Sequence, residues 1–205
     1  MDSTPTDPAG EETLQRLWAR GCDFLGTPTA ILGGAMSWVS ERNLVSAISN
    51  AGGFGIIACG SMDPDMLCTE IAATAALTDK PFGVNLITMH PDLDALIDVC
   101  LAKTVGHVVL AGGLPRTAQI ARIKAGGAKV LCFAPTLTFA HKLMRSGADA
   151  LIIEGMEAGG HIGPVSTSVL AQEILPEIDD VPVFVAGGIG HGEAVAAYLE
   201  MGASG

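Results

Sequence analysis

Continuous apolar runs, separated by segments with helical spacing of apolar residues, dominate the chain from residue 29 onward. The runs do not alternate with polar residues, which is typical of parallel strands covered on both faces. They predict strands over 29–36, 55–59, 82–87, 107–111, 129–133, 150–154 and 181–186. The segments between them predict helices over 41–51, 63–78, 90–103, 115–124, 136–146, 167–175 and 192–202.

This repetition of strand, loop and helix predicts an α/β fold with a parallel sheet. Glycine pairs follow several strands, so they lie at the carboxyl ends, where α/β folds bind ligands. We therefore expect a (β/α)8 TIM barrel, with about seven strand–helix units present in this chain. An open, doubly wound sheet is the alternative, because the sequence does not show whether the sheet closes.

The first residues differ from the rest of the chain. Residues 1–24 are expected to form a polar N-terminal tail and a short helix, and 25–205 the barrel domain. Within the first part, 1–12 is acidic and polar and is predicted to be a disordered tail without the features of a signal peptide. The helix is predicted over 11–21.

Composition narrows the classes of partner. Hydrophobic residues make up 49% of the chain and charged residues 16%, and the net charge is −11. This charge disfavours nucleic acid, whose phosphates require a basic surface, and an anionic membrane. A membrane span needs about 18 apolar residues, and no apolar stretch of the chain is that long. The five cysteines show no CxxC spacing, and no motif has metal-ligand spacing, so we expect a reduced, cytoplasmic protein without a metal site.

Four places in the sequence carry candidate chemistry. His161 lies in a glycine-rich loop after the strand 150–154 and is the candidate catalytic group, with a solvated loop histidine as the alternative. The glycine-rich turn 186–194 precedes a helix, so it is either a phosphate site or a plain tight turn. Asn85 and Glu154 stand in apolar strands, where they bond either the neighbouring backbone or a ligand.

Five segments together resemble a known family. They are GGAMSWVS (33–40), NAGGFGIIACG (50–60), LTDKPFGVNL (77–86), GADALIIEGMEAGGHIG (147–163) and VPVFVAGGIGHGEA (181–194). These segments resemble the nitronate monooxygenase family, also called 2-nitropropane dioxygenases. They are equally similar to the closely related FMN-dependent enoyl-acyl carrier protein reductase of type II. The resemblance covers about residues 25–205.

The resemblance implies a barrel that carries FMN at the carboxyl ends of its strands. His161 matches the catalytic histidine of the family. The implied cofactor-binding residues are Gly34, Ala35 and Met36 near the flavin ring, Asn85 and Glu154 against the FMN, Gly159 and Gly160 in the loop over it, and Gly187 and Gly188 at the phosphate. The family continues into an eighth strand and C-terminal helices, which we expect to be missing from these residues.

The expected function is that of an FMN-dependent nitronate monooxygenase, which oxidises alkyl nitronates with O2. His161 would act there as a base or as a substrate-binding group. One alternative is an enoyl-acyl carrier protein reductase that takes electrons from NAD(P)H. Another is a non-catalytic barrel that binds a phosphate ligand, since a fold alone implies no activity. The expected partner is a small-molecule substrate, either a nitronate or an enoyl thioester, and a homodimer is compatible with the resemblance.

Overall fold

Strands and helices alternate along the chain in the computed structural model, which describes residues 8–160 and 162–205. The strands are β1 (Leu32–Gly33), β2 (Phe54–Ala58), β3 (Phe82–Ile87), β4 (His107–Ala111), β5 (Lys129–Phe133), β6 (Ala150–Glu154) and β7 (Val183–Ala186). The helices are α1 (Pro8–Leu25), α2 (Arg42–Asn50), α3 (Pro64–Leu77), α4 (Leu93–Ala102), α5 (Thr117–Ala125), α6 (Leu137–Arg145), α7 (Thr167–Ile174), which continues into a 3-10 turn (Leu175–Glu177), and α8 (Gly192–Glu200).

The strands form one parallel sheet in the order β1-β2-β3-β4-β5-β6-β7. Each strand therefore pairs with its neighbour in sequence, as between Glu154 of β6 and Ala186 of β7. A doubly wound sheet reverses its strand order at a switch point, and this sheet does not. The seven strand–helix units of an incomplete (β/α)8 barrel are confirmed, and the doubly wound alternative is wrong.

Alternate residues of each strand pack into two separate cores. Val84, Leu86, Leu151 and Ile153 belong to the cluster between the sheet and the surrounding helices. Residues of opposite orientation, such as Ile152, belong to an inner cluster that also holds residues of α1 and α8. The inner cluster is the barrel interior, and by the same alternation Asn85 and Glu154 face it.

Helix α1 closes the end of the barrel at which the strands begin. Phe24 lies against Phe184, with ring centroids 6.1 Å apart, and its carbonyl oxygen is 2.9 Å from His107 Nε2. The Lys129 ammonium donates to the same carbonyl and lies 4.7 Å from the centroid of the Phe24 ring. Burial lowers the pKa of His107, so this histidine is an uncharged part of the closure. The carboxyl ends of the strands are left as the open face.

The last two residues lie beside β7. Ser204 N–H donates to the Val183 carbonyl at 2.7 Å, and Val185 N–H donates to the Gly205 carbonyl at 3.0 Å. A Cβ on Gly205 would be 2.3 Å from the Ala30 carbonyl oxygen. Residues 204 and 205 therefore sit between β7 and the segment before β1, where an eighth strand of the barrel would start.

Two predicted boundaries are wrong. Helix α1 begins at Pro8, so residues 8–12 are helical and not a disordered tail; residues 1–7 lie outside the described part. Glu11 in the first turn favours the helix electrostatically, and the burial of Trp18, Phe24 and Leu25 stabilises it to its end. The strand predicted over 29–36 is reduced to β1, because the chain turns back where Val39 and Ser40 donate to the Met36 carbonyl.

Local sequence signals explain several helix starts. The Asp63 side chain accepts from Met66 N–H at 2.8 Å, and Pro64 follows it as the first helical residue. Thr136 caps α6 in the same way. Within the described ranges, no helix is both long and apolar enough to cross a bilayer.

Candidate active site

The predicted site residues in the described ranges lie at or beyond the carboxyl halves of four strands. Gly34 follows β1, Asn85 stands inside β3, and Glu154 ends β6. Gly187 directly follows β7, whose Ala186 pairs with Glu154. The sheet therefore brings Glu154 and the glycine turn together, whereas Asn85 lies three strands from β6 and faces the same interior.

Asn85 is buried and uses its amide to bond the backbone. Its Nδ2 donates to the Val109 carbonyl on β4 at 3.3 Å. This is the backbone interaction that the sequence left open for a polar residue within an apolar strand. The contact between Asn85 and FMN stays a prediction.

Glu154 offers an acceptor without a donor. Its side chain is partly buried, and burial raises the pKa of its carboxyl group. Among residues 8–160 and 162–205, no hydrogen-bond donor reaches this carboxylate. A half-buried acceptor of this kind is suited to bind an N–H or O–H group of a ligand.

The segment after β1 is exposed and held by one buried serine. Ser40 Oγ donates to the Gly34 carbonyl at 2.9 Å and accepts from Met36 N–H at 3.0 Å. Trp38 lies in the same turn with a φ of 65°, a conformation that L-residues seldom adopt. Residues 34–36 are thereby fixed at the open face.

Open space surrounds three of the predicted glycines. A Cβ on Gly34, Gly159 or Gly160 would meet nothing within 4 Å. Packing within the described residues does not require glycine at these three positions. The described residues leave the space beside them open for a ligand.

Gly187 and Gly188, by contrast, lie in close contact with their neighbours and have left-handed backbone conformations. Their φ angles are 105° and 71°, which only glycine adopts without strain. A Cβ on Gly187 would lie 3.0 Å from Ala158 N, and one on Gly188 would lie 2.7 Å from Glu157 Cβ. The turn then enters α8, whose N-cap His191 makes no side-chain capping bond. Consecutive backbone N–H groups before a helix N-terminus are suited to bind an anion.

Glu157 and Thr167 join the loop after β6 to this turn. The Glu157 carboxylate accepts from Thr167 N–H at 2.8 Å and from Thr167 Oγ1 at 2.9 Å. Thr167 Oγ1 is also 3.1 Å from the Gly187 carbonyl. Sequence reasoning missed both residues, and the only available signal was the position of Glu157 within the EGMEAGGHIG motif.

His161, the predicted catalytic residue, lies outside the described residues, and its role stays a prediction. In the described ranges, no three His, Cys, Asp or Glu side chains form a group that could hold a metal ion.

Apolar side chains are exposed in the loops that follow β1, β3 and β6. Their exposed fractions are 75% for Trp38, 76% for Met89, 50% for Met36, 49% for Met156 and 48% for Ile162. Exposed large apolar groups around a site indicate an apolar ligand or a covering partner.

Comparisons with known proteins give one consistent family. A family model described as Nitronate monooxygenase matches residues 20–98 and 93–205. A dehydrogenase of a methyl-oxo-octahydroindene-carboxyl-CoA from Rhodococcus jostii is 38% identical, over 89% of this chain and 51% of the relative. A nitronate monooxygenase from Paraburkholderia phytofirmans is 30% identical, over 97% of this chain and 65% of the relative.

A solved structure extends the likeness to the fold. FabK from Thermotoga maritima superposes with a TM-score of 0.86 and 42% identity, over 90% of this chain and 58% of that one. The chain spans about half the length of the first two curated relatives, 51% and 52%.

Proposed function

Because the chain belongs to the nitronate monooxygenase family, we propose that it acts as an FMN-dependent oxidoreductase, with an alkyl nitronate as substrate and O2 as co-substrate. The observation that carries the proposal is the glycine turn of Gly187 and Gly188 next to Glu154 at the carboxyl ends of β6 and β7. This pair offers an anion cradle and an unused acceptor side by side. A phosphorylated ligand with polar ring or chain groups fits it.

In this proposal, the backbone N–H groups of Gly187 and Gly188 hold the FMN phosphate. Glu154 accepts from polar groups of the cofactor, and Asn85 contacts it from β3. Gly159 and Gly160 leave room above it, and residues 34–36 line the flavin ring. The open space around Gly34, Gly159 and Gly160 supports these assignments.

FMN, when bound, supplies the electron transfer that no side chain of this family site provides. The chain supplies orientation and proton handling. We assign to His161 the removal of the α-proton of a nitroalkane or the binding of nitronate oxygens, since an imidazole exchanges protons near neutral pH.

A thioester is the second candidate substrate, with NAD(P)H as the electron donor. The Rhodococcus relative is named for a carboxyl-CoA substrate and is more similar to this chain than the nitronate monooxygenase compared above. The exposed apolar groups of the loops after β1, β3 and β6, with Trp38 and Met89 about three-quarters exposed, suit a substrate with a large apolar body better than a small nitroalkane. This observation supports the thioester alternative.

The cofactor is tested first. We expect the purified full-length protein to be yellow, and denaturation to release a flavin that co-elutes with FMN in chromatography. Release of FAD contradicts the proposal, and so does failure to take up flavin after reconstitution.

The substrate is tested with the loaded enzyme. O2 uptake with alkyl nitronates is expected to exceed NAD(P)H oxidation with enoyl thioesters, and the reverse result selects the second candidate.

The role of His161 is tested by substitution. His161→Ala is expected to keep flavin and to lose about 10²–10⁴ in turnover. Near wild-type turnover of this variant would show that His161 is not catalytic.

A further inference from the structure

One carboxylate ties the beginning of the loop after β6 to the end of that loop, and its partner there contacts the turn after β7. Glu157 belongs to the loop after β6, and its side-chain oxygen accepts from both the backbone N–H and the hydroxyl of Thr167, at 2.8 Å and 2.9 Å. Thr167 begins α7 and is buried to 2% exposure, and its hydroxyl is 3.1 Å from the Gly187 carbonyl after β7. The chain of contacts thus runs from the loop after β6, through the start of α7, to the glycine turn.

Steric fit reinforces the link. A Cβ on Gly155 would lie 2.0 Å from Thr167 Oγ1, and one on Gly188 would lie 2.7 Å from Glu157 Cβ. The two loops and the helix start are therefore in direct van der Waals contact, with no room for added atoms. A shift of the β6 loop has to move the glycine turn or break these contacts.

We propose that Glu157 and Thr167 are positioning residues, which fix the glycine turn of Gly187 and Gly188 relative to the loop after β6 and so shape the cradle for the cofactor phosphate. The identity of that ligand rests on the proposed function, whereas the mechanical link does not. In this proposal, neither residue contacts the reacting atoms. Both act through the backbone of the turn.

The protonation state of Glu157 suits this role. The hydrogen bonds from the Thr167 backbone and side chain lower the pKa of the Glu157 carboxyl. At neutral pH the group is therefore an ionised acceptor, and hydrogen bonds to an ionised group are stronger than those between neutral groups. Thr167 supplies both donors, its backbone N–H and its hydroxyl. A substitution can remove only the hydroxyl, so the hydroxyl is the group to test.

The first experiment measures amide hydrogen exchange in the full-length protein without added flavin. Thr167→Val keeps the volume but removes the hydroxyl, and Glu157→Ala removes the acceptor. Both variants are expected to speed exchange about tenfold at the hydrogen-bonded amides of 155–158 and at Ala194 and Val195, whose N–H groups bond the His191 carbonyl just after the turn, since a bond to a charged group is lost. Thr167→Ser keeps the hydroxyl and is expected to restore wild-type exchange.

A matched control separates charge from position. Glu173 is exposed on the same helix, α7, and Glu173→Ala removes the same charge without touching the loop. It is expected to leave exchange in both segments unchanged. Wild-type exchange of Ala194 and Val195 in both Glu157→Ala and Thr167→Val overturns the proposal. An equal rise in exchange across the whole sheet also overturns it, because that result would indicate a general stabilising role.

The second experiment titrates FMN into the same proteins and follows the quenching of flavin fluorescence. The dissociation constant is expected to rise about tenfold in Thr167→Val and Glu157→Ala, with little further rise in the double variant because both break one link. Unchanged affinity in both single variants contradicts the role at the phosphate. If the wild-type protein binds no FMN, the proposed function fails, and hydrogen exchange still decides whether Glu157 positions the turn.

Discussion

At the scale of single residues, the turn after β7 depends on two consecutive left-handed glycines. Gly187 and Gly188 have φ angles of 105° and 71°, and Glu157 fills the space where a side chain at 188 would start. The sequence predicted a glycine-rich turn there, and the family resemblance assigned both glycines to the cofactor phosphate, which stays a prediction. The sequence could not show that the neighbouring loop also excludes a side chain there, because that contact joins residues about thirty positions apart in sequence.

We expect Gly188→Ala to destabilise the protein by about 1–2 kcal/mol from the backbone conformation alone, with a further cost from the contact with Glu157 Cβ. FMN affinity should fall with it, because the N–H groups of the turn are displaced. Chemical denaturation and flavin titration measure the two effects. Gly106→Ala is the control, since its Cβ meets nothing within 4 Å and its φ is not left-handed. Equal stability of the two variants contradicts the prediction.

At the scale of secondary-structure elements, α1 shows how tertiary contacts can reverse a local preference. Gly21 is in the interior of this helix, where alanine is normally better than glycine by about 1 kcal/mol. Here a Cβ at position 21 would be 1.8 Å from the Ser204 carbonyl oxygen and 2.8 Å from Ala30 Cβ. The helix approaches the end of the barrel so closely that only glycine fits.

Gly21→Ala is therefore expected to lower the free energy of unfolding by about 1–3 kcal/mol, the usual cost of overpacking a core. The melting temperature and a denaturant titration measure it. Gly10→Ala, on the exposed first turn of the same helix, is expected to be neutral or slightly stabilising. A stabilising effect at position 21 would show that α1 can move away from Ser204.

Hydrophobic patterning predicts the strands and helices, with two exceptions. Buried strands such as β2 read as continuous apolar runs, and Asp63 and Pro64 marked the start of α3. The first strand and the first helix were misjudged, because their lengths depend on the turn at Met36 and on the burial of Phe24 against distant strands. The bond between Glu157 and Thr167 spans ten residues of one loop, and hydrophobic patterning does not reveal it.

At the scale of the whole molecule, three thiols are enclosed between the sheet and the helices. Burial raises the pKa values of Cys59, Cys100 and Cys132 to about 12, so each is a neutral thiol at ordinary pH. Cys22 and Cys68 remain partly accessible. Partial burial and the neighbouring Asp23 carboxylate raise the pKa of Cys22 as well, so its thiolate fraction at pH 8 is smaller than that of a free cysteine.

We expect a thiol reagent at pH 8 to modify Cys22 and Cys68 in the native protein and all five cysteines after denaturation. The reagent needs an accessible thiolate, so the three remaining thiols should react only as the barrel opens. Mass spectrometry of labelled peptides identifies the sites. Fast labelling of Cys132 in the native state would contradict the enclosed core described above.

The strictly sequential strand order has a consequence for how the protein comes into being. Each strand pairs with the strand before it in the chain, so the strands can pair in order while the chain is synthesised. Each pairing closes only a short stretch of chain, which costs little entropy. The exception is the meeting of Gly21 and Ala30 with residues 204 and 205. Helix α1 is synthesised before the sheet, but it makes this contact only after residues 204 and 205 have been synthesised.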